Sequence, residues 1–265
     1  MKKLKILIYK DYGQWFDSAT SMKQWLDNLD ILDKYIVEYV DADSIIKLNA
    51  LLSKNVAALV MPGAHSRGYN KKLSGIGNQN IRDFVNSGGI YLGFCGGAYY
   101  ACEKTIFAGY NLDLKDSYDL KLFRGLSIGS IPELCDGRYF DDTICSVSAA
   151  SLSFNNKEKS YVYYSGGCCF SSVNQEFEVL ARYDLLDIPA VIKFSYGEGK
   201  VVLSGVHPEK NYGFLANNEG SLKACGSKEK EIALDIFEKL NVSEKDGSKL
   251  KLDKVILQDL FLLKN

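Results

Sequence analysis

The sequence has few of the residues that usually hold metal ions. It contains two histidines in 265 residues, and none of its seven cysteines belongs to a C-x-x-C pair. Because protein zinc sites are built from several such ligands at close spacing, we expect neither a metal site nor a cofactor. The cysteines are also odd in number and scattered, which argues against a disulfide framework and favours a reducing, cytoplasmic setting.

Excess charge of one sign and long hydrophobic runs are absent as well. Lysine and arginine total 32 against 33 acidic residues, so the formal net charge is -1. This balance gives no reason to expect nucleic acid or an anionic membrane as a partner. The first apolar run, Ile6-Leu7-Ile8-Tyr9, is too short for a signal peptide or a membrane span. We therefore expect neither a nucleic acid nor a membrane as the partner of this chain.

The first hundred residues alternate between short apolar strands and amphipathic helices, a pattern typical of a parallel sheet covered on both faces. The predicted strands are Lys5–Tyr9, Tyr35–Val40, Val56–Met61 and Ile90–Gly93; the predicted helices are Phe16–Leu29, Ile45–Leu52, Asn78–Asn86 (with Asn78 as its cap) and Gly96–Glu103.

The second half of the chain changes character. Residues 107–153 are predicted to be irregular, with a loop-rich stretch around Arg124–Asp142. Strands follow at Tyr161–Tyr164, Glu178–Arg182, Ala190–Tyr196 and Lys200–Gly205, the last two joined as a hairpin by Gly197-Glu198-Gly199. A helix over Lys228–Leu240 ends the pattern. We expect one domain over residues 1–241, followed by a linker and an amphipathic tail over residues 242–265.

The stretch Gly93-Phe94-Cys95-Gly96-Gly97 has the form G-x-C-x-G and lies between a predicted strand and a predicted helix. A nucleophile on such a sharp turn needs neighbours without side chains, because strand and helix approach closely there. The helix dipole and the free N–H groups at the helix start also favour a thiolate. Cys95 is therefore predicted to be a nucleophile on a strand-to-helix elbow. The alternative is that a glycine-rich turn joins strand to helix and that Cys95 packs as a small apolar residue.

A second strand end carries a candidate base. Val206-His207-Pro208-Glu209 follows the strand predicted over residues 200–205. A histidine and a glutamate two residues apart can face the same way, so His207 is predicted to take the proton of Cys95 and Glu209 to orient the imidazole. The alternative is a surface histidine in a loop.

A third strand ends in Met61-Pro62-Gly63-Ala64-His65. Backbone N–H groups of Gly63 and Ala64, together with that of Gly96 after the nucleophile, are predicted to form an oxyanion hole. Tyr99, His65, Arg67 and Gly166 are predicted to line a substrate pocket, and the alternative for each is packing or loop hydrogen bonding.

The elbow, the P-G-A loop and the H-P-E strand end together resemble the class I glutamine amidotransferase-like superfamily. The closest resemblance is to the amidotransferase-like domain at the N-terminus of biotin–protein ligases, which also occurs as a stand-alone bacterial protein. The stretches that carry it are Met61-Pro62-Gly63-Ala64, Leu73-Ser74-Gly75-Ile76-Gly77-Asn78, Phe84-Val85-Asn86-Ser87-Gly88-Gly89, residues 91–100 around Cys95, Tyr164-Ser165-Gly166-Gly167, Val179-Leu180-Ala181-Arg182-Tyr183 and Gly205-Val206-His207-Pro208-Glu209.

This resemblance implies a flavodoxin-like α/β fold with a mostly parallel central sheet, helices on both faces and an antiparallel strand extension. It also implies a Cys-His-Glu triad that hydrolyses an amide, and a link to a biotin-dependent system. Two departures qualify it. Glutamine-using members carry a Gln where this chain has Tyr99, so free glutamine is not the expected substrate. No G-R-G-R-type biotinyl-adenylate loop occurs in the sequence, and no ligase activity is expected.

Two functions remain open. The sequence favours a cysteine-dependent amide hydrolase, because all three residues of a triad follow predicted strands. The alternative is a non-catalytic binding or regulatory module that keeps the amidotransferase architecture. A thiol-chemistry protein with a similar elbow is disfavoured, since such proteins place a glutamate ahead of the elbow and Ile90–Gly93 offers none.

Overall fold

The computed structural model describes residues 3–11, 17–110, 112–155, 157–211, 215 and 226–262. In chain order its strands are β1 (Leu4–Tyr9), β2 (Tyr35–Val40), β3 (Val56–Met61), β4 (Ile90–Phe94), β5 (Cys102–Gly109), β6 (Leu112–Asp116), β7 (Phe123–Gly129), β8 (Val147–Phe154), β9 (Glu158–Ser165), β10 (Cys168–Ser171), β11 (Glu178–Tyr183), β12 (Ile188–Tyr196) and β13 (Gly199–Ser204). The helices are α1 (Ser18–Asp27), α2 (Ala42–Ile46), α3 (Ser66–Leu73), α4 (Ile76–Asn86), α5 (Gly96–Ala101), α6 (Ser227–Lys245), α7 (Ser248–Ile256) and α8 (Gln258–Leu262).

Within these described ranges the larger sheet has nine strands in the order β2-β1-β3-β4-β13-β12-β11-β8-β9. The first five are parallel, and the strand order of this half is that of a flavodoxin-like fold. Strands β12, β11, β8 and β9 continue the sheet in antiparallel fashion. The predicted fold class is confirmed, and so is the predicted hairpin of the last two strands.

Burial on both faces of the sheet explains the apolar strands. Along β1, Ile6 and Ile8 belong to one hydrophobic core, whereas Leu7 and Tyr9 belong to a second one on the opposite face. Since successive side chains of a strand point to opposite faces, helices must cover both sides of the sheet.

The prediction of an irregular segment over residues 107–153 is wrong where β5, β6, β7 and β8 form, and it is confirmed for residues 130–146, which contain loops and two short 3₁₀ turns. In the described part of the chain, β10, β7, β5 and β6 form a separate four-stranded sheet. Strand β6 has the sequence LDLKD and is mostly exposed, so it lacks the clean apolar alternation that marks a strand. Strand β5 includes Cys102 and Glu103, which were predicted to be the last two residues of the helix after Cys95.

Two helix predictions also need correction, and one helix was not expected. The helix predicted over Ile45–Leu52 is broken at Asn49, whose φ of 48° lies in the left-handed region. Helix α3 was not predicted. Asn78 is not a helix cap: α4 begins after Gly75, and the fully buried Asn78 accepts a hydrogen bond from the hydroxyl of Tyr100.

The predicted linker over residues 242–249 is replaced by helical structure. Helix α6 continues to Lys245, and α7 begins at Ser248. Leu252 and Ile256 are fully buried in the main core, and the Tyr35 hydroxyl donates to the carbonyl of Leu260 at 2.7 Å. Phe16 at the predicted helix start and residues 263–265 of the predicted tail lie outside the described residues.

Across the helices that the structure describes, none combines the length and the apolar character required to span a lipid bilayer.

Candidate active site

Three neighbouring parallel strands, β3, β4 and β13, end at the same edge of the sheet. Cys95 directly follows β4, the Pro62-Gly63-Ala64 loop follows β3, and His207 lies shortly after β13. The backbone N–H of Cys95 donates to the carbonyl of Ser204 at 2.8 Å, and this hydrogen bond joins the ends of β4 and β13. In flavodoxin-like sheets, ligands bind outside the carboxyl ends of the strands. Residues distant in sequence thus meet where this fold places its sites.

The backbone at Cys95 is strained. Its φ of 45° and ψ of -106° lie outside the regions that a residue with a side chain normally occupies. A Cβ atom on Gly96 would overlap the backbone of Ala64, and one on Gly97 would overlap the carbonyl of Met61. The N–H of Gly97 donates to the carbonyl of Pro62 at 3.1 Å. Gly96 and Gly97 are therefore required by close contact with the end of β3 and the loop after it.

His207 and Glu209 form a buried pair. The Nδ1 atom of His207 lies 2.8 Å from Oε1 of Glu209, and their side chains are 7% and 0% exposed. The backbone N–H of His207 donates to the carbonyl of Tyr163 at 2.9 Å, which fixes the loop against β9. A histidine held through Nδ1 keeps its other ring nitrogen for a second partner.

The imidazole is electrostatically coupled to the thiol. Burial alone would lower the pKa of His207, but the Glu209 carboxylate and the Cys95 sulfur raise it to about 10. The hydrogen bonds of Sγ itself are long: it lies 3.7 Å from the carbonyl oxygen of Ser165 and 4.0 Å from that of Gly166. The charge of Glu209 therefore favours the imidazolium form beside Cys95.

Lys210 lies beside the candidate site and was not predicted from the sequence. Together with Cys95 and His207 it lines a narrow cleft whose other walls are Ser18, Gly63, Ala64 and Ser165. Its ammonium lies 3.8 Å from the carboxylate of Asp17 and 5.3 Å from the centre of the Tyr163 ring. The one signal in the sequence was its position directly after the H-P-E stretch.

A second, wider cleft of about 260 Å³ opens on the other side of Cys95. Tyr99, His65, Arg67 and Gly166, the four predicted pocket residues, all line it. Tyr99 is buried, and its hydroxyl donates to the carbonyl of Gly166 at 3.0 Å. The structure thus brings these four side chains or backbone groups to one cleft, and their role in binding stays a prediction.

The predicted oxyanion residues lie next to Cys95 and His207. Gly63 packs so closely under the imidazole that a Cβ atom there would lie 2.7 Å from Cε1 of His207. Ala64 lines both clefts, and Gly96 is the first residue of α5. The described residues include no group of three or more His, Cys, Asp or Glu side chains placed to bind a metal ion.

Known proteins resemble this chain in sequence and in fold. Residues 4–263 match the family model "Biotin-protein ligase, N terminal". A protein of Chlamydia muridarum described as uncharacterized is 31% identical over 221 residues, 79% of this chain and 82% of that protein. The biotin–protein ligase of Schizosaccharomyces pombe is 30% identical over 192 residues, 68% of this chain but 29% of the ligase. The chain thus corresponds to less than a third of that ligase.

Solved structures support the fold alone. A glutamine amidotransferase from Thermotoga maritima superimposes with a TM-score of 0.63 at 12% identity, over 99% of this chain and 100% of that one. Another glutamine amidotransferase gives a TM-score of 0.53 at 20% identity, over 77% of this chain and 90% of that one. Both the amidotransferase-like fold and the resemblance to the ligase N-terminal domain are confirmed.

Proposed function

The chain belongs to the biotin–protein ligase N-terminal family, and we propose that it is a cysteine-dependent amide hydrolase with Cys95 as nucleophile. The observation that carries this proposal is the strained elbow at Cys95 beside the buried His207–Glu209 pair. Strain at a cysteine and an oriented histidine are both features that nucleophilic catalysis uses.

The proposed reaction uses groups already in place. His207 takes the proton of the Cys95 thiol as the sulfur attacks the amide carbon, and backbone N–H groups of Gly96 and Ala64, with Gly63 beside them, hold the oxygen of the tetrahedral intermediate. His207 gives its proton to the departing nitrogen, and the C–N bond breaks to leave a thioester on Cys95. Water, deprotonated by His207, then hydrolyses the thioester to a carboxylic acid and restores the thiol. Glu209 stabilises the imidazolium throughout.

The alternative is a binding or regulatory module, and Tyr99 is the observation that favours it. Tyr99 occupies the place where glutamine-using members carry a Gln, and its hydroxyl is engaged by Gly166 across the cleft. A module of this kind would bind a small molecule beside Cys95 without forming a thioester. A role in a biotin-dependent system is proposed only from the likeness to the yeast ligase.

Ammonia release from a panel of primary amides separates the two functions. We expect at least one amide to release ammonia with the native chain, and Cys95→Ala to lower that rate about a thousandfold or more. Cys145→Ala is the matched control, because Cys145 is also half-buried but lines neither cleft beside Cys95. Release that survives Cys95→Ala would overturn the mechanism, and a panel without any release would favour the module.

A further inference from the structure

We propose that the wider cleft beside Cys95 selects amides whose acyl group is apolar and carries no carboxylate. This inference rests on the proposed function, because it names the substrate class of that same site. Three features of the cleft support this inference. Apolar side chains form its walls, Arg67 is paired with Asp116, and acidic residues lie at its mouth.

The walls of the cleft are mostly aromatic and aliphatic. Tyr99, Phe107 and Phe140 form a chain of edge-to-face contacts, with ring centres 5.8 Å and 5.9 Å apart. Tyr110 and Leu112 at the rim are 70% and 49% exposed. Apolar side chains left open to solvent around a reactive group provide a surface for an apolar ligand.

The cation of the cleft is already neutralised. Arg67 is the one arginine or lysine among the described residues that line it. Its Nε and Nη2 atoms each donate to the Asp116 carboxylate at 2.9 Å, a two-point pairing. Tyr118, itself buried, donates to Asp116 at 2.9 Å and contacts Ser66 Oγ at the same distance. The Tyr118 hydroxyl thus fixes Asp116, and Asp116 pairs with the guanidinium that a substrate carboxylate would need as its partner.

The mouth of the cleft adds negative charge. Asp141 and Asp142 both line it and are both exposed. The Asp141 carboxylate accepts hydrogen bonds from the backbone N–H and the hydroxyl of Thr143 at 3.0 Å and 2.6 Å, which stabilise its ionised form. Three carboxylates with one guanidinium repel an anionic acyl group and tolerate a neutral or cationic one.

Lys210, a cation beside Cys95 that does not line the wider cleft, leaves this balance unchanged. It lies on the His207 side of Cys95, in the narrow cleft with Ser18 and Gly63. Asp17 and the Tyr163 ring hold its ammonium there. Free glutamine, whose α-carboxylate requires a cation in the acyl pocket, is therefore a poor fit to the wider cleft.

Charged thiol reagents test the cleft without requiring turnover. A methanethiosulfonate transfers its alkylthio group to Cys95 with formation of a disulfide and release of methanesulfinate. We would measure the rates at the Cys95 peptide by mass spectrometry, with a trimethylammonium-ethyl reagent and a sulfonate-ethyl reagent, each divided by its rate with free cysteine. In the native chain the normalised rate with the cation should exceed that with the anion.

Asp116→Asn should reverse part of this preference, because it removes a carboxylate and frees Arg67. We expect the anion-to-cation ratio to rise about threefold to tenfold, and Asp142→Asn to raise it about twofold. Asp43→Asn is the matched control, since Asp43 pairs with Lys47 at 2.8 Å on α2, outside the cleft. A native preference for the anion, or a ratio unchanged by Asp116→Asn, would overturn the proposal.

The rates of hydrolysis of two amides provide a second test of the proposal. Phenylacetamide should release ammonia about tenfold faster than L-glutamine at equal concentration, and Asp116→Asn should narrow the difference. Glutamine hydrolysed as fast as phenylacetamide would overturn the substrate class. If neither amide is hydrolysed, the proposed hydrolase loses its support, and the reagent ratio still decides the charge preference of the cleft.

Discussion

At Gly63 the backbone passes directly under the His207 ring. A Cβ atom there would lie 2.7 Å from Cε1 and 3.4 Å from Nδ1 of the imidazole. Gly63→Ala should push the ring away from its position between Cys95 and Glu209 and lower amide hydrolysis about tenfold to a hundredfold. The added methyl group should also destabilise the fold by about 1–3 kcal/mol through overpacking. Ammonia release and thermal unfolding measure the two effects.

The control for Gly63→Ala is Gly226→Ala. The atom nearest to a Cβ on Gly226 is Oε2 of Glu229 at 3.6 Å, an ordinary contact. This variant should keep both its activity and its melting temperature. If Gly63→Ala hydrolysed amides at the native rate, the position of the imidazole would not control the reaction.

At the scale of one element, α7 holds a buried ion pair. Lys249 and Asp253 lie one turn apart with their charged atoms in contact, their side chains are 7% and 6% exposed, and the ammonium lies 5.7 Å from the centre of the Trp25 ring. Lys249→Met should lower the free energy of unfolding by about 3–5 kcal/mol, because it leaves the Asp253 carboxylate buried without its cation. Chemical denaturation measures the change.

The double variant Lys249→Met/Asp253→Leu provides the comparison. It removes both charges and fills the space with apolar atoms, so it should regain most of the lost stability. A double variant as unstable as the single one would show that packing rather than unpaired charge causes the loss.

Whether an element could be predicted depended on how much of its environment lies nearby in the sequence. Strands such as β2 and β3 were predicted to the residue because they are apolar runs bounded by polar residues. The polar composition up to Lys249 is typical of a solvated linker, and Lys249 is buried only because Trp25 and the main core lie against it. That contact spans more than two hundred residues, so no local pattern contains it.

The same limit applied to the site. Cys95, His207 and Glu209 could be chosen as candidates because each follows a recognisable strand, and the topology brings those strands together; their catalytic roles stay a prediction. Lys210 and Asp116 were missed because their positions depend on side-chain contacts, with Asp17 and Tyr163 in one case and with Arg67 in the other.

At the scale of the whole molecule, the site exists only when the sheet is complete. Strands β3, β4 and β13 supply its three sides, and β9 holds His207 through the carbonyl of Tyr163. A residue near the start of the chain also contributes, since Ser18 lines the narrow cleft. Reactivity at Cys95 therefore reports on the assembled protein.

The most direct test of the account is the rate of iodoacetamide labelling at the Cys95 peptide between pH 5 and pH 9. Burial opposes the charge on His207, but Glu209 and Cys95 raise its pKa to about 10, so the imidazolium should persist across this range beside the Cys95 sulfur. Burial raises the pKa of the Cys102 thiol to about 12, which makes it a slow internal comparison. Glu209→Gln removes the main charge that raises the pKa of His207, and Glu158→Gln, at an exposed pair with Lys251, is its control.

We predict that Cys95 labels about tenfold or more faster at pH 6 than free cysteine, whose pKa is about 8.5, with little change up to pH 9. Glu209→Gln should remove most of that advantage, whereas Glu158→Gln should leave it intact. A Cys95 rate that climbs about tenfold per pH unit in parallel with free cysteine, in the native chain and in Glu209→Gln alike, would contradict the claim that Cys95 is an activated nucleophile.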